Sequence, residues 1–235
     1  MNPLLSRALS EGVGTFCLVF FGVGAAATLS VTGSPDAHVA TALCFGVVVT
    51  VMILLFGDHS GAHLNPAVTS GFILAQRMTL RDGAAYIAGQ VAGALLAGFA
   101  LARILSFFEG APVNVLEVGV TRPAVPQSVA FGVEALLTCI LMFVILRVST
   151  GSKERGARAA FAIGATVFLC AAAFGPLTGA SMNPARSIGP AIALWIRDDL
   201  WIYVTAPVVG ALAAVPLCRV LAMGVEEPSS DVVDE

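Results

Sequence analysis

Two phrases of matching type recur in this chain: Gly61-Ala62-His63-Leu64-Asn65-Pro66-Ala67 and Gly179-Ala180-Ser181-Met182-Asn183-Pro184-Ala185, the second followed directly by Arg186. Asn before Pro begins a helix, because Asn is a favoured N-cap and Pro fits the first turn, where its missing N–H costs nothing. A helix start leaves backbone N–H groups unpaired and carries roughly half a positive elementary charge. The chemistry on offer is recognition and not bond making. Asn65 and Asn183 present carboxamide donors, and the helix ends repel cations. Gly61, Ala62, His63, Gly179, Ala180 and Ser181 supply backbone carbonyls, since non-helical backbone at membrane depth must line a cavity or be buried in protein. Arg186 stands where the first copy has Val68. A charge within a membrane segment is costly and functional by default, and no carboxylate lies near Arg186 in sequence to make it a structural ion pair. Glu11 and Glu134, each with Thr four residues on (Thr15, Thr138), are read as structural acceptors for the irregular backbone leading into the short helices. A proton relay is the alternative for the two carboxylates, and a titratable gate the alternative for His63, otherwise read as locally satisfied.

These residues need elements to hold them. The runs from Pro66 to about Ala75 and from Pro184 to about Leu194 are too short to span, roughly 15 Å each at 1.5 Å per residue, against a hydrocarbon core of about 30 Å. Longer apolar segments fall near 8–31, 38–57, 83–106, 127–148, 158–175 and 199–223. Arg7 ahead of an apolar stretch resembles a signal peptide, but the run is long enough to span and contains Glu11, so it is read as the first membrane helix. The order is three spans with a half-helix after the second, then the same again. Because three is odd, the second copy inserts upside down, an inverted repeat with its site near the midplane. Gly89, Gly93 and Ala97 form a small-residue seam for close helix contact. Basic residues accumulate in cytoplasmic loops; Arg7, Arg77, Arg81, Arg147, Lys153, Arg155, Arg158 and Arg219 share one side, which places both termini in the cytoplasm.

Composition fits this reading. Of 235 residues, 57% are hydrophobic and 11% charged, with a mean hydropathy of +0.91, whereas a soluble domain carries about 25% charged residues. We expect an all-α integral membrane protein: one domain over 1–223, with inverted halves at about 7–106 and 127–223, and a disordered cytoplasmic tail over 224–235. The net charge of −3 points to no nucleic acid partner. The five cysteines (Cys17, Cys44, Cys139, Cys170, Cys218) lie in apolar runs and match no metal spacing, so no metal or cofactor is expected.

Six spans, two Asn-Pro-Ala half-helices, Arg after the second and Glu-x-x-Gly-Thr at the start resemble the aquaporin (major intrinsic protein) family over residues 7 to about 223. The resemblance implies a right-handed bundle of six tilted helices with two half-helices, assembled as homotetramers with one pore per subunit. The family's outer constriction falls by spacing on Phe45, Ala171, Ala180 and Arg186. Strict water channels have Phe, His, a small residue or Cys, and Arg there, so Ala171 implies a wider and less polar aperture. Ser187 and Ala191 are unlike a glycerol facilitator, yet Gly175-Pro176-Leu177-Thr178-Gly179 resembles the loop of facilitators and of nodulin-like intrinsic proteins. Ser187, Ala191, Tyr203 and Val204 are closest to the nodulin-like branch, whose members pass water, glycerol, ammonia, urea and metalloid acids in varying mixtures. The family's mercurial-sensitive position is Ala180 here. Asp58 and His59 depart from the family pattern Gly-His-Ile-Ser-Gly; Asp58 is read as a solvated loop carboxylate, with an ion pair or a gate as the alternatives.

The expectation is a passive channel, not an enzyme, for water and small uncharged solutes such as glycerol-like polyols, urea, ammonia or metalloid acids, excluding protons and ions. The alternatives are a strict water channel and, in a different class, a gradient-coupled secondary transporter. The latter needs ionisable partners for a driving ion, and only the two structural Glu residues are candidates. A membrane enzyme needs a nucleophile with a base or a metal cluster, for which His38, His59 and His63 offer no convincing geometry.

Overall fold

The computed structural model describes residues 2–30, 33, 35–107, 115–149, 153 and 156–221; the expected tail at 224–235 lies outside the described residues. The regular elements are helices: α1 (Pro3–Ser30), α2 (Ala37–Phe56), α3 (Pro66–Leu74), α4 (Leu80–Leu105), α5 (Gln127–Val148), α6 (Gly156–Thr178), α7 (Pro184–Ala193) and α8 (Leu200–Val220), with a 3₁₀ turn at Val115–Gly119 before α5. Six of the helices, all but α3 and α7, are long and apolar enough to cross a membrane.

Several boundaries differ from those expected by a few residues, those of α1, α4, α6 and α8 among them. α1 starts at Pro3 because the Asn2 side chain accepts the Leu4 N–H at 2.9 Å, so capping extends the helix ahead of the apolar run. α6 runs on to Thr178 through Pro176, although a helix-interior proline removes one hydrogen bond of its own.

The inverted repeat sets the packing. α1 packs most extensively against α4 and α5 against α8, the first and third spans of each half, and α2 meets α6 across the join. Each half-helix then leans on the other half's third span, α3 on α8 and α7 on α4. Small residues permit these approaches. A methyl group on Gly93 would overlap the Gly12 carbonyl oxygen, and one on Gly89 the Ala8 carbonyl oxygen, so the seam on α4 faces α1. Gly210 sits equally close to the Ala135 carbonyl, and Gly98 to that of Gly189. Between helices in lipid there is no hydrophobic driving force, so such close packing is the main source of association.

Both half-helices stop in the same way. After α3, Gln76 takes a left-handed φ of 60°. Its N–H bonds the Ile73 carbonyl at 3.0 Å and the Arg77 N–H bonds the Phe72 carbonyl at 3.0 Å. After α7, Trp195 at φ 59° places its own N–H on Ile192 O at 3.2 Å and the Ile196 N–H on Ala191 O at 2.9 Å. This pair of hydrogen bonds from the residues past the end satisfies carbonyls that would otherwise be orphaned. α3 has 9 residues and α7 has 10, about 14–15 Å long, so each stops far short of a bilayer's width.

Candidate functional site

The half-helices meet at their N-termini, and the caps do the joining. Asn65 Oδ1 accepts the Ala67 N–H at 2.9 Å, and Asn183 Oδ1 accepts those of Ala185 at 3.0 Å and Arg186 at 3.3 Å. Each carboxamide nitrogen reaches across: Asn65 Nδ2 donates to Met182 O at 2.7 Å, and Asn183 Nδ2 donates to Leu64 O at 2.8 Å. One amide hydrogen on each side is thereby committed to the opposite loop, which leaves one hydrogen per Asn for anything in the cavity both residues line. The Leu64 and Met182 carbonyls, next along from the backbone expected to supply acceptors, each receive one of these bonds.

Irregular backbone leads into both caps, and it is strained at matching positions. Gly61, Ala62 and Leu64 have φ of 99°, 51° and 53°; Gly179, Ala180 and Met182 have 85°, 39° and 53°. Left-handed non-glycine residues cost of order 1–3 kcal/mol each and persist only where surroundings over-determine them. The surroundings here are the two buried carboxylates. Glu11 Oε1 accepts from Ser60 Oγ at 2.7 Å and His63 N at 3.0 Å, and its Oε2 from Leu64 N at 2.7 Å and Gln90 Nε2 at 2.8 Å. Glu134 Oε1 accepts from Thr178 Oγ1 at 2.8 Å and Ser181 N at 2.9 Å, and its Oε2 from Met182 N at 2.9 Å. The Thr15 and Thr138 hydroxyls donate back to the Glu11 and Glu134 carbonyls of their own helices, at 2.8 and 2.7 Å. Both glutamates thus do what buried irregular backbone requires.

His63 is satisfied locally. Its Nδ1 lies 3.2 Å from Thr69 Oγ1, and its ring stacks on Phe72 at 4.3 Å between centroids. Ser181, at the matching place, shares a hydrogen bond with Ser187 Oγ at 2.6 Å, which in turn accepts from Thr121 Oγ1 at 2.9 Å.

Arg186 is 6% exposed and forms no salt bridge; the ion pairs among the described residues are Arg7–Asp82 and Arg122–Glu117. Its Nη1 donates to Gly119 O at 2.9 Å, and its guanidinium lies 5.0 Å from the centre of the Phe45 ring. A carbonyl and an aromatic face hold the charge without neutralising it.

Two cavities run through this region. The inner one, about 60 Å³, is lined by Asn65, Asn183, His63, Ser181, Ala180 and apolar side chains of α2, α5 and α6. By the one-sphere-per-water measure it holds roughly four or five waters. The second, a vestibule of about 250 Å³, is lined by Ser30, His38, Thr41, Val118 and Gly175. Phe45, Ala171 and Arg186 line both, so they stand at the junction, with Ala180 on its inner side. All four residues that spacing selected are brought together.

Several contributions were not foreseen in the sequence, where Tyr203 stood only for its resemblance to the nodulin-like branch. Tyr86 and Tyr203 donate to Ser60 O at 2.6 Å and Thr178 O at 2.7 Å, pinning the start of each irregular stretch. The signal was present, since these are the chain's two tyrosines and each occupies a third span. Gln90 bridges Glu11 and Thr69. Gly22 seats Phe45, because a methyl group there would overlap the ring. Gly119 could not have been found, since it lies in a loop far from the second motif. On the opposite side, Asp58 engages Lys153 through its backbone carbonyl, at 2.9 Å, and His59 Nε2 lies 3.0 Å from Ser6 Oγ. The Lys153 contact is therefore no ion pair with the Asp58 carboxylate.

Comparison with known proteins gives consistent results. A family model described as Major intrinsic protein matches residues 2–217. The chain is 41% identical to aquaporin NIP1-3 of Oryza sativa subsp. japonica over 207 residues, covering 88% of this chain and 70% of that protein. It is 39% identical to nodulin-26 of Glycine max over 211 residues, 90% of this chain and 76% of that one. Among solved structures it is similar to the aquaglyceroporin from Plasmodium falciparum, with a TM-score of 0.83 and 26% identity, covering 94% of this chain and 100% of the other.

Proposed function

The chain belongs to the major intrinsic protein family and is a passive transmembrane channel for water and small solutes; we propose that its path runs between the caps of α3 and α7 and excludes protons and other ions. The observation that carries this reading is the reciprocal pair of bonds, Asn65 to Met182 O and Asn183 to Leu64 O. It holds two electropositive helix ends beside one cavity lined by both asparagines and Arg186. Two half-charges and one full charge in a low-dielectric slab raise the energy of any cation there. A neutral molecule with an oxygen acceptor meets two amide hydrogens instead.

The solutes we assign are water together with glycerol, urea and similar uncharged molecules. Ala171 projects only a methyl group at the junction and favours a wide aperture, whereas the Phe45 ring, seated against Gly22 of α1, favours a moderate one. The repeat is read as halves at about 7–106 and 127–223, within one domain over 1–223. The side bearing Arg7, Arg77, Arg81, Arg147, Lys153, Arg158 and Arg219 is read as cytoplasmic, with both termini there and the vestibule facing out. Assembly is read as a homotetramer and the role as non-enzymatic.

Purified protein in liposomes tests this. An osmotic jump should shrink the vesicles faster than protein-free controls, with glycerol or urea re-entering and proton leak at background. Absence of water flux together with absence of glycerol and urea flux would overturn the reading, as would uptake that depends on a sodium or proton gradient.

A further inference from the structure

His38 belongs to no motif, yet it occupies a built position at the vestibule. Pro176 lies inside α6 and has no N–H, so the carbonyl four residues earlier, Ala172 O, has no in-helix donor. His38 Nε2 lies 3.0 Å from that oxygen. A carbonyl only accepts, so Nε2 carries the hydrogen, which fixes the tautomer and the ring's orientation and keeps Nδ1 as an acceptor in the neutral ring. Space for the ring is provided by Gly175, where a methyl group would overlap His38 Cε1. Proline, glycine and histidine thus form one device spanning α6 and the start of α2.

Its place matters for passage. Ala171 and Gly175 are one turn apart on the same face of α6, and both line the vestibule with Phe45, Thr41 and Arg186. That face offers a methyl group at the junction and nothing one turn further out. The His38 ring, supplied by α2, fills the bare turn.

Resting on the channel reading above, we propose that His38 is a specificity-determining residue. It restores on the outer side of the junction the bulk and polarity that Ala171 does not provide, and so sets which neutral solutes enter. The wall facing Arg186 is then built in two levels from two helices, Ala171 at the junction and His38 a turn outside it.

The test compares wild type, His38→Ala and His38→Phe in liposomes, with water, glycerol, urea and the four-carbon polyol erythritol as probes. His38→Ala should raise erythritol and glycerol permeability relative to water by roughly tenfold, the low end of what a change in pocket size supplies. His38→Phe keeps the ring and loses the hydrogen bond; it should hold erythritol near the wild-type ratio. If both variants lower every flux in parallel, or leave the ratios unchanged, His38 is a structural cap for α6 and the proposal is overturned. Should His38→Ala fail to fold, wild-type ratios in Gly175→Ala, which displaces the ring, would overturn it equally. Absence of flux in wild type would instead count against the channel reading itself.

Discussion

At the residue scale the decisive contributions come from acceptors. Two carboxylates gather donors from backbone that lies outside any helix, and the strained residues Ala62, Leu64, Ala180 and Met182 persist because of them. Glu134→Gln leaves one oxygen where two served and turns an NH₂ toward a backbone N–H. An unsatisfied buried donor costs about 1–3 kcal/mol, so this variant should melt at lower temperature in detergent and conduct less water. An unchanged melting temperature would mean the loop is held otherwise. At the junction, Ala171→His adds a ring between Phe45 and Arg186 and should suppress glycerol flux more than water flux, measured as the ratio of the two in one vesicle preparation. Equal losses would mean that the narrowest point lies elsewhere.

At the element scale the half-helices are defined by their ends. Asn-Pro starts each one, and a left-handed residue stops it, Gln76 after α3 and Trp195 after α7. Glycine adopts that conformation without a Cβ penalty but loses more entropy on folding. The exposed Gln76, replaced as Gln76→Gly, should therefore stabilise the protein by a few tenths to about 1 kcal/mol, the range for relieved backbone strain offset by that entropy, seen as a small rise in melting temperature with flux unchanged. The seam between α1 and α4 has the opposite tolerance. Gly93→Val drives a branched side chain into the Gly12 carbonyl, and we expect low yield of folded protein on size-exclusion chromatography. A well-folded variant would show that the helices can separate without loss.

At the scale of the whole molecule, each half-helix rests on the third span of the other half, so neither half completes its own site. Arg186 depends on Gly119, from the turn between α4 and α5. On the reading of four subunits, each with its own pore, chemical cross-linking in native membranes should end at a tetramer. A reporter fused after α8 should be active only on the cytoplasmic side. A ladder ending at two, or a reporter active outside, would correct assembly or orientation without touching the path itself.

The sequence alone determined the elements, because membrane helices announce themselves through apolar length and half-helices through Asn-Pro starts. It also located Asn65, Asn183, Arg186, Glu11 and Glu134, since a charge or amide in an apolar run has few inexpensive explanations. Only the tertiary structure decided what these groups touch. That the asparagines bond the opposite loop, that Arg186 rests on Gly119 and Phe45, and that His38 serves a carbonyl freed by Pro176 are contacts between residues 67 to 141 positions apart. Local propensity acts over a few residues. Partners at such separations are chosen by helix packing, where a missing side chain at Gly22, Gly93 or Gly175 decides how closely two elements can approach.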